Sequence, residues 1–198
     1  MKARLFGVSL AVLLLTVLLG AGSAVAQEPP GVRMLSATQV RYQGNEIDMV
    51  ASHRFAASHL GADWLFLDVA FTGTRSEAVE VNRDAIRLRL PDGSEVPLPT
   101  QQEFGQAYRD IHAMVARANL MADPLDIWAG RSPQPLNFLV APGEGVALLS
   151  VWANDRRVYT GRLYFLVPGG VQPGPYELRV TVKETTAQIP FTLEDRQR

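Results

Sequence analysis

The chain has 198 residues, with 19 Lys and Arg, 20 Asp and Glu, and no Cys. The missing thiols exclude disulfides, thiolate metal sites, covalent haem attachment and a lipid anchor on cysteine. The nearly balanced charge offers no basic patch of the kind that nucleic acids require, so no nucleic-acid partner is predicted.

The amino-terminal residues have the order of a secretory signal peptide. Two cations, Lys2 and Arg4, precede an uncharged segment at residues 5–26, whose most apolar part is residues 10–19. A basic start, a short apolar centre and small residues after it are typical of a segment that directs export. The sequence therefore predicts a periplasmic or extracellular protein.

The predicted cleavage site follows the small residues Ala24 and Ala26, so the mature chain would begin at Gln27. The alternative is an uncleaved membrane anchor, because a bilayer span needs roughly 20 apolar residues. Cleavage is favoured because the strongly apolar centre is shorter than that, and the glycines after it weaken a helix. Residues 1–26 are thus predicted to be a signal peptide, and a membrane contact is expected only if it is retained.

The first part of the mature chain carries few clear patterns. Residues 27–43 are predicted to form an extended leader and a first strand, at 33–43, on a sheet edge. Residues 44–62 give no readable periodicity. At residues 64–71 apolar side chains occupy both alternating sets, which predicts a central strand with two buried faces. The main domain is therefore placed at residues 44–198.

Two further strands and a turn precede a change of period. Residues 86–90 alternate apolar and charged, which predicts a strand with one face in water. Residues 91–94 read Pro-Asp-Gly-Ser, a turn sequence. Residues 96–98 would return the chain as an edge strand, because the prolines around it cannot donate ladder hydrogen bonds.

A helix is predicted at residues 100–120. Thr100 and Glu103 form a capping-box sequence, and apolar side chains then recur at spacings of three and four. Pro124 is expected to end this helix. Together with the loop that follows, it forms a helical insertion at about residues 100–131.

The period of two returns in the last third of the chain. Residues 131–135 are predicted to be a linker, and residues 146–152 a second central strand, since they are apolar on both faces. The remaining predicted strands are residues 137–140, 158–167, 176–183 and 189–193.

Short strands with turn sequences between them predict an all-β fold, specifically a β-sandwich with a helical insertion, preceded by the signal peptide. The Pro-Gly-Pro-Tyr-Glu-Leu-Arg-Val sequence at 173–180 resembles the penultimate strand of bacterial secreted immunoglobulin-like domains. The strand at 64–71, followed by a loop and a strand ending in Pro-Asp-Gly-Ser, is similar to them also. This resemblance covers roughly residues 64–193 and implies an immunoglobulin-like fold, but no catalytic residues. The chain lacks the Cys pair of antibody domains.

Two groups of residues are candidates for function. His53 and His59 offer imidazole ligands for zinc or copper, but their spacing matches neither a helix face nor a strand face. Arg109, Arg117 and Trp128 are predicted to form an exposed partner surface on the helical insertion. The other tryptophans, Trp64 and Trp152, fall in predicted central strands and are expected in the core.

No nucleophile elbow, zincin or phosphate-loop motif occurs, and no cofactor is predicted. The leading hypothesis is an exported, non-catalytic binding or assembly module with a protein partner in the cell envelope or outside the cell. One alternative is a small secreted hydrolase or enzyme inhibitor. A second is a periplasmic metal carrier that uses His53 and His59. The oligomeric state does not follow from the sequence.

Overall fold

The computed structural model describes residues 31–125 and 127–195, and twelve strands in these ranges make up most of the fold. The predicted signal peptide and its cleavage residues Ala24, Ala26 and Gln27 lie outside the described residues. The strands are β1 (Val32–Met34), β2 (Gln39–Gln43), β3 (Ile47–Ser52), β4 (Trp64–Gly73), β5 (Val79–Asn82), β6 (Ile86–Arg89), β7 (Glu95–Pro97), β8 (Ser132–Leu136), β9 (Ser150–Ala153), β10 (Arg157–Leu166), β11 (Gly174–Val182) and β12 (Thr185–Leu193).

The helical elements are α1 (Arg54–Ala57), a 3₁₀ turn (Arg83–Ala85) and α2 (Gln101–Leu120). The capping box of α2 forms as predicted. The Glu103 amide donates to Thr100 Oγ1 at 3.1 Å, and the Thr100 amide donates to Glu103 Oε2 at 2.7 Å. The predicted helix is therefore confirmed. In the part of the chain that the structure describes, no helix has both the length and the apolar character needed to cross a membrane.

The strands form three sheets. The first has six strands in the order β1-β2-β3-β4-β10-β8, and all its pairs are antiparallel except β8 with β10. The second has four strands in the order β12-β11-β6-β7, and β5 pairs with β9 in the third. The predicted first strand proves to be a hairpin, in which β1 takes the edge position.

The main core lies between the two larger sheets. Leu65 and Leu67 of β4 join side chains of β6, β11 and β12, such as Leu88 and Leu178, in one buried cluster. The alternate residues of β4 point to the opposite, outer face of the six-stranded sheet, where Phe66 packs under α2. This outer cover explains why β4 is apolar on both faces, and it confirms the prediction that β4 is central.

The fold is mostly β, with several sheets, and is compatible with a β-sandwich. The fully buried strand β3 was missed, because its residues lie in the segment 44–62 that showed no readable pattern. The polar side chains of β3, such as Asp48, are buried as well as the apolar ones. The hydropathy of the sequence therefore does not show the two faces of this strand.

Three predictions for the chain after α2 are wrong. The predicted linker at residues 131–135 is largely β8, which pairs in parallel with β10 despite its two prolines. Residues 137–140 form no strand. The predicted central strand at residues 146–152 is reduced to β9, which pairs with β5 alone.

Candidate functional site

A group of hydrogen bonds, here called the outer-face network, joins β2, β3 and the α1 region to the segment after α2. One half of it is centred on Asp48. Its carboxylate accepts bonds from Arg41 at 2.9 and 2.6 Å, and from the Trp128 indole Nε1 at 2.9 Å. Trp128 is only 6% exposed, so the expectation that it is an exposed surface residue is wrong. A buried indole needs an acceptor, and Asp48 supplies it.

The other half of the network is centred on Asp123. Its carboxylate accepts bonds from Ser52 Oγ and Arg54 Nη1, both at 2.7 Å, and from Thr38 Oγ1 at 3.2 Å. Burial acts to raise the pKa of Asp123, but the bonds from Arg54, Ser52 and Thr38 outweigh it and hold the pKa below its ordinary value. Asp123 therefore stays ionised and ties the chain after α2 to the sheet.

A cleft of about 340 Å³ lies beside this network and holds two carboxylates. Burial raises the pKa of Asp68, although Arg162 Nε lies 2.7 Å from its Oδ1 and partly offsets that effect. Asp123 is the second carboxylate in the lining. Opposite pKa shifts in one cleft are a feature of acid–base sites. Here each carboxylate is engaged by an arginine, so neither is a free nucleophile.

The two candidate metal ligands lie in different surroundings. His53 is 5% exposed and stacks on Phe191, with ring centroids 5.0 Å apart. His59 stacks on Phe55 at 3.8 Å, and its Nδ1 lies 2.9 Å from the Phe55 carbonyl oxygen. Among residues 31–125 and 127–195, no group of three or more His, Cys, Asp or Glu could hold a metal ion. The metal-carrier alternative therefore gains no support from these positions.

The other predicted surface residues, Arg109 and Arg117, are exposed on α2. The opposite side of α2 carries Phe104, Ile111 and Val115, which pack on the sheet. The helix is thus an amphipathic cover with a polar outer side. Leu120, at the end of the helix, is the one large apolar side chain of α2 that is exposed, and a single exposed apolar residue does not mark a docking site.

An apolar strip at residues 146–152 holds the largest group of exposed apolar side chains in the described residues. Val146 is 80% exposed, Leu149 65% and Trp152 56%, and Leu148 is exposed as well. Of the nine large apolar side chains that are exposed in the described residues, four lie in this strip. The expectation that Trp152 packs in the core is wrong, whereas Trp64 is buried as predicted.

A second cleft, here called the ring cleft, has a volume of about 530 Å³. Three aromatic rings lie in its wall: His53 after β3, Tyr176 on β11 and Phe191 on β12. Sequence reasoning missed this site, because the three residues are far apart in the chain and only the packing of the two sheets brings them together. Its volume falls within the range of small-molecule sites, roughly 300–1,000 Å³.

The features of the described residues that bring candidate side chains together are the outer-face network, the cleft of Asp68 and Asp123, the ring cleft and the apolar strip. Of the sequence-predicted site residues, His53 enters the ring cleft and Trp128 enters the outer-face network, while Arg109 and Arg117 stay on the helix surface. No protein-family model, no curated protein and no solved structure matches this chain.

Proposed function

We propose that this chain is an exported, non-catalytic binding module, built on an immunoglobulin-like β-sandwich, that docks a protein partner through the apolar strip at residues 146–152. The partner is a protein of the cell envelope or the cell exterior. The signal-like order of residues 1–26 supports export. The docking site is proposed because exposed apolar side chains are concentrated around Leu149 and Trp152.

Exposure of this strip to water is unfavourable in free energy, and that cost is removed when another molecule covers the strip. Water-exposed apolar area costs roughly 25 cal/mol per Å², and contiguous apolar patches mark protein–protein sites. Trp is also among the residues most enriched at the energetic centres of interfaces. The same residues are apolar enough to have predicted a buried strand, so a partner that covers Leu149 and Trp152 would complete their burial.

The surroundings of the strip indicate what the partner must offer. Glu80 lies opposite Trp152 across the β5–β9 pair, Arg156 lies in the turn before β10, and Arg157 is the first residue of β10. A rim of both charge signs around an apolar centre is the usual anatomy of a specific interface. A partner with an apolar patch and a polar rim therefore fits better than a uniformly charged one.

The test is affinity capture in the native host, with cross-linking in the cell and mass spectrometry of the captured proteins. The strip variant carries Leu149→Ser and Trp152→Ala. The matched control is Leu166→Ser, which changes an exposed apolar residue at the far end of β10 from the turn after β9. We expect the wild type and the control to capture one dominant exported partner, and the strip variant to lose it.

A third variant tests the helix surface that the sequence indicated. Arg109→Ser with Arg117→Ser changes two exposed cations on α2 and leaves its buried side intact. Capture that survives in this variant supports the strip as the docking site. Loss of capture here, together with retention in the strip variant, would transfer the interface to α2 and overturn the strip.

The hydrolase alternative rests on the cleft that holds Asp68 and Asp123. An assay of the purified protein against ester, peptide and glycoside substrates tests it directly. Turnover that disappears in Asp68→Asn and persists in the exposed-residue control Asp110→Asn would favour an enzyme over a binding module.

A further inference from the structure

The outer face of the six-stranded sheet is covered in two separate parts. Phe66 of β4 packs under α2, and Ala70 of β4 packs under the segment that contains Trp128. Between them on the same face of β4 lies Asp68, which stands opposite Arg162 of β10 in the ladder. The outer face is therefore apolar and covered on both sides of this charged pair, and a cleft opens at the pair itself.

This cleft continues into a second one of about 300 Å³, which lies between α2 and residues 137–144. The two clefts are here called the α2 groove, and four residues line both: Asn119, Asn137, Leu139 and Tyr164. Each cleft alone lies at the lower end of the range for small-molecule sites, roughly 300–1,000 Å³. Because they adjoin, the groove has room for a chain of more than one unit.

A buried arginine fixes polar groups at the first cleft. The Arg162 side chain is 8% exposed, and its Nε donates to Asp68 Oδ1 at 2.7 Å. Its Nη1 donates to Asn119 Oδ1 at 2.8 Å, which directs the Asn119 amide nitrogen away from the guanidinium. Within the described residues, neither Asp68 Oδ2 nor Asn119 Nδ2 has a hydrogen-bond partner. An acceptor and a donor are thus held in place before any ligand binds, which lowers the entropic cost of binding.

The other accessible groups of the α2 groove are also polar. Asn137, Thr160 and Glu144 are exposed and line it, whereas apolar lining residues such as Phe104 and Leu139 are buried. A ligand would therefore touch amides, a hydroxyl and carboxylates, which together supply both donors and acceptors. Such a wall suits a ligand with many hydroxyl groups, because each hydroxyl both donates and accepts.

The charges of the α2 groove do not select an ion. Asp68 is paired with Arg162, and Asp123 is paired with Arg54 at 2.7 Å. The remaining carboxylate of the lining is that of Glu144, which is exposed to water and screened by salt. An anion would meet carboxylates, and a cation would find two of them already neutralised. The lining therefore favours an uncharged ligand.

We infer that the α2 groove binds a neutral saccharide of two or more units. Neighbouring hydroxyls of one unit donate to Asp68 Oδ2 and accept from Asn119 Nδ2, and the next unit extends along α2 towards Glu144. The groove shares no lining residue with the apolar strip, so this site and the partner docking can fail separately. The carboxylates bind the saccharide and do not attack it, which distinguishes this site from the hydrolase alternative.

The test titrates the purified, isotope-labelled protein with four neutral trisaccharides that differ in stereochemistry: cellotriose, maltotriose, mannotriose and chitotriose. Binding is followed by the amide signals in NMR spectra. We expect at least one trisaccharide to bind at millimolar concentration, and about tenfold more tightly than its own monosaccharide, which can occupy one cleft alone. The affinity should be the same at low and high sodium chloride concentration, because the ligand carries no charge.

Two variants locate the binding site. Asn119→Ala removes the donor that Arg162 orients, and Asn137→Ala removes an amide that lines both clefts. Each should weaken trisaccharide binding about tenfold, since a hydrogen bond to the ligand is lost. The matched control is Asn45→Ala, which changes an exposed asparagine between β2 and β3 and should keep the affinity. Amide signals at residues 137–144 should shift on binding, and those of the β11–β12 hairpin should not.

Four results would overturn the inference. They are the absence of binding by all four trisaccharides at millimolar concentration, equal or tighter binding of the neutral peptide acetyl-triglycine amide, affinity that is kept in both Asn119→Ala and Asn137→Ala, and cleavage of the bound saccharide. The strip variant, Leu149→Ser with Trp152→Ala, should keep the wild-type affinity for the saccharide. A wild type that binds a trisaccharide but captures no partner would remove the docking proposal alone.

Discussion

The two tryptophans that follow α2 exchange the places that their sequence contexts predict. Trp128 lies in an irregular segment among turn-forming residues, yet it is buried and its indole nitrogen donates to Asp48. Trp152 lies in a strand with apolar neighbours, yet more than half of it is exposed. The comparison shows that burial depends on which other segments cover a residue. The hydrophobic period of the residue's own segment carries no information about those segments.

The regions around Trp128 and Trp152 differ in whether other segments of the chain cover them. Over the outer face of the six-stranded sheet, Leu125 and Trp128 pack against Val50, Ala70 and Val158, and the outer-face network holds that segment down. The apolar strip has no such cover among the described residues. The outer-face region is therefore covered by residues of its own chain, whereas the strip is where we propose that a second molecule docks.

Removing each tryptophan in turn tests this difference most directly. We expect Trp128→Ala to lower the free energy of unfolding by about 3–5 kcal/mol, the range for large aromatic side chains removed from a packed interior. The loss includes the indole hydrogen bond, which leaves Asp48 with one fewer donor. Urea denaturation followed by circular dichroism measures this change.

The matched variant for this prediction is Trp152→Ala. Because the side chain is mostly in water, its removal should change the free energy of unfolding by no more than about 0.5 kcal/mol. Equal losses in the two variants would contradict the distinction between a covered and an uncovered tryptophan. Partner capture should respond in the opposite sense, with loss in Trp152→Ala.

A smaller effect is expected at the centre of the other half of the network. Asp123→Asn removes the negative charge that Arg54 pairs with and weakens the acceptor for Ser52 and Thr38. We expect a loss of about 1–3 kcal/mol in the free energy of unfolding, since a partly buried donor set loses its charged acceptor. Asp110→Asn, on the exposed side of α2, is the control and should be near neutral.

Amide hydrogen exchange shows which part of the chain the change Asp123→Asn destabilises. If Asp123 ties the chain after α2 to the sheet, Asp123→Asn should raise the amide exchange rates of residues 121–131 more than those of β11 and β12. A uniform increase over the whole chain would mean that Asp123 contributes only to global stability. Unchanged stability and exchange would show that the network does not hold this segment.

The fold was predictable where a segment's own pattern decides its state. The capping box at Thr100 and Glu103 and the apolar face that follows are local features, and α2 forms as they predict. The two apolar sets of β4 predicted a central strand, because each face must be covered by something. In both cases, local preference and tertiary packing agree.

The rest depends on contacts between distant residues. Asp48 and Ser52 made β3 look polar, although their partners Trp128 and Asp123 come from a segment more than 70 positions away. Pairing in parallel with β10 makes a strand of the segment β8, which its two prolines had indicated to be a linker. The ring cleft likewise combines the end of β3 with β11 and β12, and no local pattern contains that meeting.

The cap of α2 gives a smaller test of the cover over the sheet. Thr100→Ala removes the hydroxyl that accepts from the Glu103 amide, and N-cap losses cost about 1 kcal/mol. We expect that loss in the free energy of unfolding, with the outer-face network unaffected because it lies beyond the other end of α2. Ser94→Ala, in the exposed turn before β7, is the control. A loss as large as that in Trp128→Ala would mean that the two ends of the insertion unfold together.

The smallest expected effect concerns pH and His53. Burial lowers the pKa of His53 in the folded state, while in the unfolded chain a histidine titrates near about 6.5. Below that pH the unfolded state takes up a proton first, so the stability that the neutral, stacked imidazole contributes is lost as the pH falls towards the folded-state value. The charge of Asp123 acts against this shift but does not cancel it.

We therefore expect the free energy of unfolding to decline between pH 7 and about 5, and to decline less in His53→Gln. The matched control is the same change at an exposed histidine of α2, His112→Gln. A slope unchanged in His53→Gln would mean that the stack of His53 on Phe191 accommodates a protonated imidazole as readily as a neutral one.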